Sequence, residues 1–278
     1  MRIVLGALSL ALLSGGTAAQ SFSDVRIPYV QFQNAPTLPK IAFQQGRPEE
    51  GGRKAETGML WARLSLLPGT TPMVVLLHGC GGMGNTPTED WIRSWAGYFH
   101  ARGQSAIAVD SFTSRGVKAT CGSPDAHWSY RRRDDAYSAL AYLSTLGRTD
   151  MTRVTVMGRS NGGRTVLRVM EDKMKSVRPA LFARGIAMYP NCRDDEKTRF
   201  YRPLHVFIGA QDDANPAVYC EAMGKAGDPN VQVTIFPDTF HGFDDGSKFR
   251  TEYGWRMGGN TRSTAEVRRL IDEDLATR

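Results

Sequence analysis

Val154-Thr155-Val156-Met157-Gly158-Arg159-Ser160-Asn161-Gly162-Gly163 decides how the rest of the chain is read. It opens as a short β-branched strand, turns through glycines with a serine at the centre, and continues into Val166, Met170 and Met174 at helical spacing. Residues 158–162 fit G-x-S-x-G, a sharp strand-to-helix turn that projects a serine hydroxyl out of the fold. The backbone of such a turn is crowded, so Gly158 and Gly162 keep β-carbons out of the strand–helix contact. The helix that follows aims its first N–H groups at charge developing beside the serine. Ordinary turns share this spacing. A nucleophile is expected only if the chain also supplies a base, an acid and an oxyanion hole.

Working outward, strand signals at 59–67, 73–77, 105–112, 153–160, 185–189, 204–208 and 231–236 alternate with helix signals at 88–103, 132–146, 215–225 and 263–276. The alternation predicts the α/β class, with a mostly parallel sheet flanked by helices on both faces. A further strand is expected over 26–32, inside an arm broken by Pro28, Pro36, Pro39 and Pro48. Ligands of such sheets bind beyond the carboxyl ends of strands. Of the five histidines, His205 lies within an apolar strand and reads as core, His100 ends a helix, and His127 sits in an unpatterned loop. His78 ends a strand inside a glycine-rich turn. His241 follows the strand at 231–236 between Phe240 and Gly242-Phe243, the best position for a general base. Asp212 follows the strand at 204–208 directly and is the candidate acid; Asp213 is adjacent, and one of the two reads as a surface charge or helix cap. The order Ser160, Asp212, His241 is that of α/β hydrolases. Two backbone donors complete the set: the N–H of Asn161, next to the serine, and the N–H of Cys80 in the glycine-rich turn 78–82.

Together, His78-Gly79-Cys80-Gly81-Gly82, Gly158-Arg159-Ser160-Asn161-Gly162, Gly209-Ala210-Gln211-Asp212-Asp213 and Phe240-His241-Gly242-Phe243 resemble the dienelactone hydrolase family, over roughly residues 59–275. The resemblance implies an α/β-hydrolase fold and cofactor-free hydrolysis of a small-molecule ester or lactone. It maps nucleophile, acid and base onto Ser160, Asp212 and His241, and the oxyanion donors onto Cys80 and Asn161. The founding members use a cysteine nucleophile and carry a glutamate in the turn after the third strand. This chain has Ser160 and Gly79 there, so the resemblance does not carry dienelactone over as the substrate.

Composition sets the setting. The 278 residues suffice for a large core, with 41% apolar and 23% charged residues. Residues 1–19 have a signal-peptide layout: Arg2, an apolar run over 3–13, then Thr17-Ala18-Ala19. Residues 20–278 are expected to form one domain, exported to the periplasm or secreted, with no membrane span. Loss of the leader takes Arg2 and no acid, so the formal charge of +7 becomes +6. The one dense basic run, Arg131-Arg132-Arg133, is answered at once by Asp134-Asp135, so nucleic-acid binding is not expected. Arg159 beside the nucleophile and Arg115 after a neighbouring strand are candidates for gripping an anionic substrate, with structural or surface roles as the alternative. Cys80, Cys121, Cys192 and Cys220 form no C-x-x-C pair, which argues against a metal site and, in an oxidising compartment, for disulfides. Strand adjacency favours Cys80 with Cys121 and Cys192 with Cys220.

Two rivals remain. Residues 79–84 also fit the dinucleotide fingerprint G-x-G-x-x-G, with Asp110 at the end of the next strand. Asn85, Thr86 and Pro87 are expected to keep that stretch a loop, which would deny a pyrophosphate its helix N-terminus. A binding-only protein of the same fold would have no need of all three triad residues.

Overall fold

The computed structural model describes residues 21–30, 58–122 and 128–276. The leader expected over 1–19, most of the arm 20–57 and His127 lie outside the described residues. The strands are β1 (Ser23–Pro28), β2 (Met59–Ser65), β3 (Thr71–Leu77), β4 (Ser105–Asp110), β5 (Thr149–Arg159), β6 (Arg184–Met188), β7 (Leu204–Gly209) and β8 (Val231–Phe236). They hydrogen-bond in the order β1-β2-β4-β3-β5-β6-β7-β8. β1 and β2 run antiparallel at one edge, and every pairing from β4 to β8 is parallel. Central parallel strands are covered on both faces, so they must be apolar throughout. Met73–Leu77 in β3 and all six residues of β4 are buried accordingly.

The order of the strands places the helices. α1 (Thr86–His100) links β3 to β4, and α2 (Trp128–Thr145) links β4 back past β3 to β5. These crossovers travel in opposite directions along the sheet, so right-handed connections put them on opposite faces. α3 (Asn161–Met170) and α4 (Ala217–Lys225) continue on the α2 side; α5 (Thr261–Ala276) joins α1, where Tyr98 Oη donates to the Arg268 carbonyl at 2.7 Å. The reversal of direction falls between β3 and β5. That is the topological switch point, and both the glycine-rich turn and the serine turn leave the sheet there.

Three expectations change. α1 opens at Thr86, not at 88: Asn85 caps it by accepting from Thr88 N at 3.0 Å, and Pro87 sits in the first turn, where its missing N–H costs nothing. The stretch after Gly84 is therefore helical, not a loop. α3 ends at Met170, and Met174 belongs to a separate short 3-10 turn, Asp172–Ser176. Finally, a hairpin of β9 (Arg250–Glu252) and β10 (Trp255–Met257), which the sequence did not signal, stands apart from the main sheet.

The charged run at the start of α2 is interior. Arg132, Arg133, Asp134 and Asp135 are all buried. Arg133 and Arg178 share Asp134, and Asp135 takes the Arg115 guanidinium through two bonds, of 2.6 and 2.9 Å. Buried charges survive only when paired in this way.

Candidate active site

The serine turn is built as its glycines require. Ser160 has φ 52° and ψ −118°, a conformation that non-glycine residues avoid. Its N–H donates to the Met188 carbonyl at 2.9 Å, which ties the turn to β6. A β-carbon on Gly158 would meet the Gly162 carbonyl carbon at 2.5 Å, and one on Gly162 would meet the His78 carbonyl oxygen at 2.5 Å. α3 thus starts in direct backbone contact with both its own strand and the end of β3.

His241 Nε2 lies 3.0 Å from Ser160 Oγ, and His241 Nδ1 lies 2.7 Å from Asp212 Oδ2. Asp212 Oδ1 accepts the Asn215 N–H at 2.7 Å, so both carboxylate oxygens are used. His241 and Asp212 are buried. The contacts form a relay in which a carboxylate fixes one imidazole nitrogen and leaves the other facing a hydroxyl. Asp213 points elsewhere, into a two-bond pair with Arg256 at 2.7 Å each.

The glycine-rich turn after β3 is braced from three sides. His78 is buried, and burial together with the nearby Arg132 holds its imidazole pKa well below the ordinary value. The neutral ring donates from Nδ1 to the Gly79 carbonyl at 2.7 Å and accepts the Ser111 N–H on Nε2 at 3.3 Å. Cys80 is bonded to Cys121, and the Cys80 carbonyl accepts the Thr120 N–H at 2.8 Å. Arg132, fully buried, donates to the His78 carbonyl and to Asn161 Oδ1, both at 2.5 Å. One guanidinium thereby joins the two segments expected to carry the oxyanion donors. Burial pushes that guanidinium down to about 9, against the pull of Asp135 and Asp110.

Behind the imidazole lies a second polar cluster that sequence patterning did not reveal. Asp244 accepts from Trp91 Nε1 at 2.8 Å, Trp95 Nε1 at 2.7 Å and Tyr189 Oη at 2.7 Å. Burial raises the carboxyl pKa in spite of these three donors. Tyr189 sets its ring edge against His241, with centroids 4.7 Å apart, and its carbonyl accepts Asn215 Nδ2 at 2.8 Å. The helical spacing of Trp91 and Trp95 was visible; their shared acceptor, far along the chain, was not.

The two arginines differ. Arg115 is committed to Asp135 and to the Ser111 carbonyl, so the structure does not bring it to the serine. Arg159 is half-buried, donates from Nη2 to Thr88 Oγ1 at 2.9 Å, and lies 5.4 Å above the Trp91 ring. Cys192 and Cys220 form the second bridge, with α-carbons 5.0 Å apart. His205 is buried between Asp274 and Thr234, each at 2.8 Å, away from the serine turn.

The dienelactone hydrolase family model matches residues 71–264, which takes in the glycine-rich turn, the serine turn and the loops bearing Asp212 and His241. The chain belongs to the dienelactone hydrolase family. It is a hydrolase acting on ester bonds. No curated protein sequence matches it at a significant level. Among solved structures it is similar to a candidate dienelactone hydrolase from Klebsiella pneumoniae, with TM-score 0.63 and 13% identity over 93% of this chain and 100% of that one. It is also similar to a dienelactone hydrolase-like promiscuous phosphotriesterase from metagenomic libraries, with TM-score 0.61 and 14% identity over 92% and 98%. A thermophilic esterase from Thermogutta terrifontis follows, with TM-score 0.52 and 18% identity over 77% and 88%. At these identities the structures show the shared fold.

The fingerprint at 79–84 is occupied by the protein itself. Asn85 caps α1 with its Oδ1, and its Nδ2 donates to the Gly81 and Gly82 carbonyls at 3.0 Å each. The helix N-terminus that would face a pyrophosphate thus has its Thr88 N–H held by Asn85 from within the turn.

Proposed function

We propose that this dienelactone hydrolase family member is an exported serine hydrolase that cleaves a carboxylic ester or lactone through an acyl-enzyme. The observation that carries the reading is the unbroken contact path from Ser160 Oγ through His241 to Asp212. In the proposed cycle His241 takes the Ser160 proton as Oγ attacks the carbonyl carbon. The resulting oxyanion is held by the N–H groups of Asn161 and Cys80. His241 then returns the proton to the leaving alcohol oxygen, and water repeats the steps to release the acid. Asp212 keeps the imidazole in the tautomer with Nε2 open and stabilises the imidazolium. These steps need no cofactor.

Export is supported by the leader-like residues 1–19 and by two disulfides, which persist in oxidising compartments. Among the described residues no helix is long and apolar enough to cross a membrane. Residues 20–278 are taken as one domain. Arg159 supports an anionic substrate, since it stays half-buried beside the nucleophile, whereas Arg115 is paired internally.

The test is covalent labelling by a fluorophosphonate, combined with turnover of short esters. The Thermogutta esterase has been captured phosphorylated by paraoxon, a related chemistry on the same fold. Labelling should map to Ser160, and Ser160→Ala should lose label and several decades of turnover while staying folded. An unlabelled but folded wild-type chain would leave the binding-only alternative. Neutral and anionic esters of equal size, compared at low salt, test Arg159: equal kcat/KM removes the anionic preference.

A further inference from the structure

The β9–β10 hairpin contributes nothing to the main sheet, yet it is fastened to both loops that deliver the histidine and its acid. Gly258 N–H donates to the His241 carbonyl at 3.2 Å, and Asn260 N–H to the Phe243 carbonyl at 2.7 Å. Arg256 pairs with Asp213, the neighbour of Asp212, and Arg250 with Asp245. The tips of the hairpin side chains are aromatic and open. Phe249 is 61% exposed and Tyr253 58%, two of only four exposed large hydrophobic residues among those described. Trp255 is half-buried, with its ring centroid 6.4 Å from that of His241, and Tyr253 continues the row at 6.0 Å. His241 therefore has Tyr189 on one side, fixed and buried, and Trp255 on another, partly open.

This placement bears on one part of an ester. The oxyanion donors draw the carbonyl oxygen toward the turn after β3. The imidazole must hand its proton to the leaving oxygen, so the alcohol portion has to sit on the histidine side. On that side, among the described residues, Trp255 is partly open beside the histidine and Tyr253 lies open beyond it. Large flat faces gain most from a flat apolar partner that stacks or meets them edge-on. We propose that Trp255 and Tyr253 form a subsite for the alcohol portion of the ester and that it favours an aromatic alcohol. The inference rests on the triad reading given above and adds the leaving-group class to it.

Benzyl acetate and methyl phenylacetate test it, because they are isomers with the ring on opposite sides of the ester and with alcohols of similar basicity. Wild-type enzyme should show the higher kcat/KM for benzyl acetate. Trp255→Ala should lower the benzyl acetate to methyl phenylacetate ratio about three- to tenfold, Tyr253→Ala should lower it in the same direction, and Trp255→Phe should restore most of it. Tyr253 is exposed, so its variant keeps the test meaningful should Trp255→Ala fold poorly. An unchanged ratio in both alanine variants, or a ratio that rises, overturns the subsite. So does a wild-type enzyme that labels at Ser160 but turns over neither isomer. Absence of both Ser160 labelling and ester turnover would instead count against the hydrolase mechanism itself.

Discussion

Gly162→Ala sets two known effects against each other. Within a helix, alanine is ordinarily favoured over glycine by about 0.5–1 kcal/mol. Here the added β-carbon would stand 2.5 Å from the His78 carbonyl oxygen, 2.8 Å from the Leu77 carbonyl carbon, and closer still to the Leu77 oxygen. Real β-carbons keep at least about 3.0 Å from such atoms. The obstacles are backbone atoms at the end of β3, which is paired on both sides to β4 and β5. No side-chain rotation relieves the contact, and overpacking of this kind costs about 1–3 kcal/mol. The clash should outweigh the propensity gain and leave a net loss of about 1–2 kcal/mol. The displacement also passes straight into the turn 78–82, and a misplacement near 1 Å at a catalytic group can cost about 10²-fold. We therefore expect kcat to fall about 10- to 100-fold with stability only modestly reduced. Urea denaturation and ester turnover measure the two effects separately. Gly185→Ala is the control: its β-carbon would press on Met170, Leu204 and Val166 side chains, at the end of β6 remote from the serine turn. It should lose stability without losing kcat. Wild-type turnover in Gly162→Ala, or an equal loss in Gly185→Ala, would refute the argument.

Asp212→Asn should reduce turnover by about 10⁴-fold, as loss of the orienting carboxylate does in other triads, whereas Asp213→Asn should stay within a few-fold; equal losses measured by kcat/KM would undo the assignment. Arg132→Met should cost about 2–3 kcal/mol in a urea titration, because a buried and a half-buried acceptor lose a charged donor, and should lower kcat, since the turn and Asn161 are no longer held together; unchanged stability and turnover would show the clamp to be idle. Asp244 gives a pH signature. Its folded pKa is raised, so the folded chain binds more protons there than the unfolded chain, and its contribution to stability is full below the ordinary carboxylate range and declines as pH rises through the raised value. The stability of wild type relative to Asp244→Asn should accordingly fall as pH rises across that window, and a difference independent of pH would contradict it.

Much of the fold could be read because its signals are local. The serine turn, the apolar run at 73–77 and the loops after 204–208 and 231–236 each announce a strand end within a few residues. Strand adjacency then sufficed to favour two cysteine pairs, and the structure contains those two bridges. What escaped was long-range. Arg131 to Asp135 reads as a charge-balanced run, and local charge balance looks the same whether the partner is water or a buried guanidinium. Asp134 and Asp135 also take Arg178 and Arg115, which lie in other segments. Asp244 carries no mark that Trp91, Trp95 and Tyr189 will converge on it. The hairpin strands are three residues each, too short for any alternation to show. Pro87 carries a breaker signal, though in the first turn of a helix it is harmless.

The four segments of the candidate site leave the sheet at the ends of β3, β5, β7 and β8, and His241 lies 81 positions after Ser160. No short contiguous fragment of the chain holds the proposed constellation. On the proposed mechanism, a refolding chain gains esterase turnover only once the last parallel strand has docked beside β7 and brought His241 to the serine. On that mechanism, recovered esterase turnover times the closure of the whole parallel sheet, later than any helix signal.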